Sequence, residues 1–118
     1  GNTFYLLQEL KKKQLLSLIK EQIADGMVYV GESAGAIITA QDIDYNKLMD
    51  DKTVAEELHD TAGLDEVDFY VLPHVGEEPF VESAQATLDT YSDQLNLLPL
   101  NNHQAVLVEG EEVKVLEE

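Results

Sequence analysis

The chain has 118 residues, 24 acidic and 7 basic, for a formal net charge of −17. That length holds a single domain, spanning 1–118, and an apolar content of 44% is enough for a core. So large a negative excess repels phosphate backbones, which argues against nucleic acid as a partner, and the absence of Cys removes disulfides, thiolate nucleophiles and Cys-ligated metals.

The first expected element is a helix capped by Thr3, with Phe4, Leu6, Leu7 and Leu10 on its apolar face and Lys11, Lys12 and Lys13 at its solvated C-terminal end. Leu15, Leu16, Leu18, Ile19 and Ile23 continue a helical stripe to Ala24, and Gly26 is a fitting stop. Residues 27–30 (Met-Val-Tyr-Val) read as a short strand, apolar throughout, of the kind buried on both faces in a parallel sheet. A short helix over 34–40 follows, then an acidic loop over 42–52 and one helical turn over 54–58. Residues 67–72 form a second strand, ended by Pro73 and followed directly by His74. An amphipathic helix is expected at 81–91. Two closing strands, 104–108 and 113–116, are joined by a hairpin-like turn at 109–112. The alternation predicts an α/β fold with an open, mostly parallel sheet and flanking helices. Helical periodicity starts at once, with no strand before it, so an N-terminal piece of such a domain is expected to be missing from this sequence.

Between the first expected strand and the helix after it stands Gly31-Glu32-Ser33-Ala34-Gly35, a G-x-S-x-G pattern in the strand–turn–helix context of a nucleophile elbow. A serine hydroxyl is a weak nucleophile and must stand clear of the backbone, beside a base and backbone N–H donors. A sharp turn flanked by small residues achieves this, and the Ala34 N–H then points at any oxyanion formed on Ser33. The competing reading is a tight turn in which Ser33 only caps the helix.

The base would be a histidine. His59 lies in a polar segment and His103 in the Asn101-Asn102-His103 turn, where surface and turn roles suit them. His74 stands just past the C-terminal end of a buried strand, the edge of an α/β sheet where ligands bind. If its strand neighbours the one before Ser33, the two side chains meet. A carboxylate should orient the imidazole. The candidates are Asp42, Asp44, Asp50 and Asp51 in the intervening loop, with Asp50 and Asp51 furthest from its anchored ends.

Gly1-Asn2-Thr3-Phe4, Gly31-Glu32-Ser33-Ala34-Gly35-Ala36, Leu72-Pro73-His74 and the closing 102–107 segment together resemble the dipeptidase E (peptidase E, aspartyl dipeptidase) family of serine peptidases, which includes the cyanophycinases. The resemblance implies an α/β fold similar to class I glutamine amidotransferases, of which this chain would be the C-terminal part. It also implies Ser33 as nucleophile, His74 as base, an Asp at 50 or 51 as orienter and Gly1 with Ala34 as oxyanion donors. Its implied substrate is a short peptide, with an N-terminal Asp in the best-known members, and it needs no metal or organic cofactor. This chain departs from that pattern in having no arginine to meet an acidic side chain.

Two other readings stand beside this one: a cyanophycinase-like or other amidohydrolase on the same fold, and a non-catalytic binding module or inactive fragment. No apolar run is long enough to span a bilayer and no secretory signal is visible, so no membrane association and a cytoplasmic setting are expected. An exposed sheet edge would be open to pairing with a second copy, a route to a homodimer.

Overall fold

The computed structural model describes residues 2–117. The first helix, α1 (Thr3–Lys12), is capped by Asn2, whose side chain accepts from the Tyr5 N–H at 3.1 Å, one residue earlier than the Thr3 cap expected from sequence. Thr3 is instead the first helical residue, buried with Phe4, Leu7 and Gln8, whose three- and four-residue spacing puts them on one face. Gln14, in the left-handed region at φ 58°, turns the chain into α2 (Leu15–Ala24). Of the expected stripe on α2, Leu16 and Ile19 pack against the core while Leu15 and Leu18 stay exposed.

Residues 27–30 pair with no strand among the described residues. Val28 is 83% and Val30 89% exposed, the reverse of the expected doubly buried strand. Apolar character gives a segment the means to sit inside a sheet, but a strand exists only where a neighbour supplies the ladder. The chain then enters the four-residue helix α3 (Ala34–Ile37), shorter than the expected 34–40. From there 38–43 runs against 61–66, with Leu64 N–H donating to the Ile38 carbonyl at 2.7 Å. At Gly63 an added Cβ would lie 2.3 Å from the Ala40 carbonyl oxygen, so this crossing requires glycine.

The segment expected as an acidic loop holds a 3-10 turn at Asp44–Leu48, and a second spans Lys52–Val54, just before the turn expected at 54–58. Only the end of the expected 67–72 strand is regular, as β1 (Tyr70–Leu72). The helix α4 (Val81–Tyr91) falls where its periodicity placed it and buries Ala84 and Thr87. A further strand, β2 (Leu97–Pro99), lies parallel to β1 with Leu72 opposite Pro99. The chain closes in an antiparallel hairpin of β3 (Gln104–Glu109) and β4 (Glu112–Glu117), turned at Gly110 with φ 60°. The fold is α/β, and the described strands make one parallel pair and one hairpin.

The main core gathers Phe4 and Leu7 of α1, Ile37 and Ile38 after the serine turn, and Ile43, Tyr45 and Leu64 from the connecting segments. Tyr45 meets Tyr70 edge-on, with ring centroids 5.4 Å apart, and its hydroxyl donates to the Val71 carbonyl of β1. This one side chain thus ties the acidic segment to the strand that carries His74.

Burial, with a small contribution from Tyr70, holds the Tyr45 phenol well above the ordinary tyrosine value. The folded state keeps this proton more tightly than the unfolded chain does. Its contribution to stability is therefore complete below the unfolded value of about 10 and is lost as pH rises beyond it. Tyr45→Phe should cost about 1 kcal/mol at neutral pH, from the lost hydrogen bond to Val71, and should flatten the alkaline fall in stability. Urea unfolding of both proteins between neutral pH and pH about 11 checks this.

Candidate active site

Ser33 sits at φ 54°, ψ −111°, outside the regions where residues with a Cβ ordinarily rest. Such backbone strain costs about 1–3 kcal/mol and persists only where the surroundings over-determine it. The surroundings here are tight. A Cβ on Gly31 would lie 2.5 Å from the Gly35 carbonyl oxygen, so the chain closes on itself across the serine only because position 31 is glycine. The Tyr29 hydroxyl donates to that same carbonyl at 2.6 Å. Gly35 is different: a Cβ there would meet nothing nearer than the Tyr29 hydroxyl, at an ordinary 3.6 Å. Of the two glycines in the pattern, sterics demand the first.

The Ser33 hydroxyl does not cap α3. Its Oγ lies 2.9 Å from Nε2 of His74, 41 residues along the chain. His74 follows β1 after Pro73, at φ 65°, and its ring stacks on Phe80 with centroids 4.8 Å apart and planes 19° from parallel. The other ring nitrogen, Nδ1, is 2.8 Å from Oδ1 of Asn102. An amide oxygen only accepts, so Nδ1 carries the proton and the Nε2 lone pair faces the serine. The parallel pair explains the meeting. Leu72 and Pro99 are in register, so His74, two residues past one strand, and Asn102, three past the other, emerge at the same edge.

The structure therefore brings Ser33 and His74 together and puts an amide where a carboxylate was expected. Asp50 and Asp51 are bonded elsewhere. Asp50 Oδ2 accepts from the Thr3 N–H at 2.9 Å, the Thr3 hydroxyl at 2.7 Å and the Asn46 amide at 2.9 Å. Asp51 caps the Lys52–Val54 turn through Thr53, whose hydroxyl and then backbone N–H hold its carboxyl below the usual range. Asp44 pairs with Lys52 and Lys47, and Asp42 accepts from the Asp44 N–H and the Thr61 hydroxyl. His59 and His103 are exposed. The N–H of Ala34, the expected oxyanion donor, has no acceptor among the described residues. Gly1, the other, lies outside the described residues. Sequence reasoning missed Asn102. The signal was present in the Asn101-Asn102-His103 turn, but the three-residue strand that positions it was too short to read.

Two cavities flank the dyad. One of about 530 Å³ is lined by Glu32, Ser33, His74, Asn101 and Asn102, and one of about 260 Å³ by Ser33, His74, Asn46, Met49, Asp50 and Phe80. Neither has a lysine on its wall. Among the described residues there is no cluster of His, Asp or Glu able to hold a metal ion, and no helix is long and apolar enough to cross a membrane.

The sequence profile of peptidase family S51 matches residues 1–116. The chain belongs to that family. An uncharacterized peptidase of Pasteurella multocida (strain Pm70) is 53% identical over 111 residues, covering 94% of this chain and 54% of its own length. One of Listeria innocua is 47% identical over 113 residues, covering 96% and 54%. A candidate peptidase E protein of Listeria monocytogenes EGD-e, solved by crystallography, superposes with a TM-score of 0.94 at 42% identity over 100% of this chain and 56% of that one. The chain thus spans about half the length of the relatives it matches.

The contrast between the two glycines of the serine turn is testable. Gly31→Ala should destabilise by about 1–3 kcal/mol, since backbone atoms must move. Gly35→Ala, inside a helix with room for a methyl, should be neutral or slightly stabilising. Thermal or urea unfolding of the two variants separates them, and equal effects would refute the steric account.

Proposed function

We propose that this S51 chain carries the nucleophile and base of a serine peptidase acting on short peptides. The observation that carries the reading is the hydrogen bond between Ser33 Oγ and His74 Nε2 on a strained turn. Ser33 Oγ attacks the carbonyl carbon while Nε2 takes its proton, and the oxyanion that forms is met by the Ala34 N–H. The imidazolium then gives its proton to the leaving amine as the C–N bond breaks. Water, deprotonated by the same nitrogen, hydrolyses the acyl-enzyme and regenerates the serine. Asn102 acts as a positioning residue: its Oδ1 holds the proton on Nδ1, as the asparagine of a Cys-His-Asn site does. A neutral amide fixes the tautomer but adds no negative charge to stabilise the imidazolium.

The proposed substrates are short peptides, with an N-terminal Asp among the candidates. An aspartate side chain seeks a cation, and among the described residues no lysine lines either cavity at the dyad, so such a substrate would need its cation from elsewhere in the full-length protein. The proposed setting is cytoplasmic.

In the full-length protein a fluorophosphonate should give a single adduct, on Ser33, and none in Ser33→Ala. Peptidase turnover should fall at least about 10³-fold in Ser33→Ala and His74→Ala. Asn102→Ala should lower kcat by about 10²-fold, because it frees the ring that accepts the serine proton. No adduct on Ser33 would favour a binding module that keeps the fold.

A further inference from the structure

Asn102, which orients His74, is itself held from behind. It lies in an exposed turn, and its neighbours bond within that turn: the Asn101 N–H donates to Gln104 Oε1 at 2.9 Å and the His103 N–H to Asn101 Oδ1 at 2.8 Å. Those bonds shape the turn but do not place it against the imidazole. The backbone pairing that continues from β1 and β2 ends where the Val75 N–H donates to the Leu100 carbonyl at 3.0 Å. Beyond that point the Asn102 N–H donates at 3.2 Å to Oε2 of Glu77, which comes from the histidine side. The Glu77 N–H in turn donates to the His74 carbonyl at 3.1 Å. The Phe80 N–H donates to the Glu77 carbonyl at 2.8 Å, and the Phe80 ring stacks on the imidazole. Three residues thus close a ring of hydrogen bonds, His74 to Asn102, Asn102 to Glu77 and Glu77 to His74. Glu77 is half-buried, and no lysine pairs with it among the described residues.

We infer that Glu77 is a positioning residue of the site, which fixes Asn102 against the imidazole and supplies from behind it the negative charge that an amide at Nδ1 lacks. The inference rests on the serine peptidase reading. A carboxylate that accepts a backbone N–H makes a charge-assisted bond, stronger than a neutral one. With its N–H on Glu77 and its Oδ1 on His74, Asn102 is held at two points and cannot swing away as the ring takes the serine proton. The imidazolium formed at that moment is favoured by any nearby anion. Glu77 is the carboxylate bonded to the residue on the Nδ1 side, and no lysine cancels its charge. Because it stands one residue removed, in partly solvated surroundings, its pull is weaker than that of a carboxylate bonded directly to Nδ1. Two other carboxylates share cavities with His74 from other elements. Glu32 lines the larger cavity, and Asp50 lines the smaller, with its Oδ2 committed to Thr3 and Asn46. Neither is bonded to Asn102, so neither can fix the tautomer as Glu77 does.

Glu77→Gln separates charge from hydrogen bond, since it keeps an acceptor for the Asn102 N–H. In the full-length protein, NMR titration of the His74 ring should show its pKa lower by about 0.5–1 unit in this variant, because the lost anion no longer favours the imidazolium. The acid limb of kcat/KM should move down in pH by the same amount, and kcat should fall about 3- to 10-fold as the base weakens. Glu82→Gln, on the exposed first turn of α4, removes the same charge and should move the ring by about 0.1 unit or less. An unmoved ring in Glu77→Gln overturns the inference, and so does an equal shift in Glu82→Gln. If Glu77→Gln does not fold, the unsubstituted protein decides. The Asn102 amide proton should shift in step with the Glu77 carboxyl carbon as that group titrates, and an amide that ignores it overturns the inference. These readouts need no turnover. A lowered ring pKa in Glu77→Gln together with an unlabelled Ser33 after fluorophosphonate treatment would sink the peptidase and leave the coupling of Glu77 to His74 standing.

Discussion

The site depends on a serine held in a backbone conformation that serine does not choose. At φ 54° and ψ −111° Ser33 is strained, and the strain is held by its neighbours rather than by the residue itself. Gly31 lets the chain close to within van der Waals contact of Gly35, and Tyr29 pins the Gly35 carbonyl. The turn thus forces the Ser33 side chain away from the helix it would otherwise cap and toward His74. A relaxed serine at a helix start would bond its hydroxyl to the helix backbone. The same turn leaves the Ala34 N–H without an acceptor among the described residues.

The second constraint is electrostatic. The chain has a formal charge of −17 and no arginine, and the carboxylates of Glu32 and Asp50 line the two cavities beside Ser33 and His74. A further carboxylate behind His74 would be easy to place in such a sequence, yet Nδ1 meets an amide. The acidic loop is instead used as scaffolding. Asp50 gathers the start of α1 and Asn46, Asp51 caps a turn, and Asp44 collects two lysines. These surface ion pairs are individually weak, but the Asp50 cluster is half-buried and joins the Thr3 N–H, the Thr3 hydroxyl and the Asn46 amide on one oxygen, so it sets where the loop lies.

What the sequence made legible follows from how local each signal was. The serine turn was readable because its glycines and its position after an apolar run are contiguous. So was α4, whose periodicity runs unbroken from Val81 to Tyr91, and so was the final hairpin around Gly110. His74 could be singled out because Pro73 ends a strand just before it. The orienting residue was not readable, because its position depends on the register of β1 with β2, a pairing between segments 25 residues apart through strands of three residues each. Proximity along the loop favoured an aspartate; the register of the two strands put Asn102 there instead. Residues 27–30 failed for a related reason. Their apolar pattern states a preference for burial, and only a neighbouring strand turns that preference into a sheet position.

The same carboxylate that was expected to orient the histidine illustrates how a residue is divided between fold and chemistry. Asp50 Oδ2, with three donors, cannot also reach Nδ1 without abandoning Thr3 and the buried Asn46 amide. Its charge is nevertheless present at the wall of the cavity that holds Ser33 and His74. A carboxylate fixed on that wall makes the potential beside the Ser33–His74 pair more negative, which opposes the entry of an anionic group into this cavity.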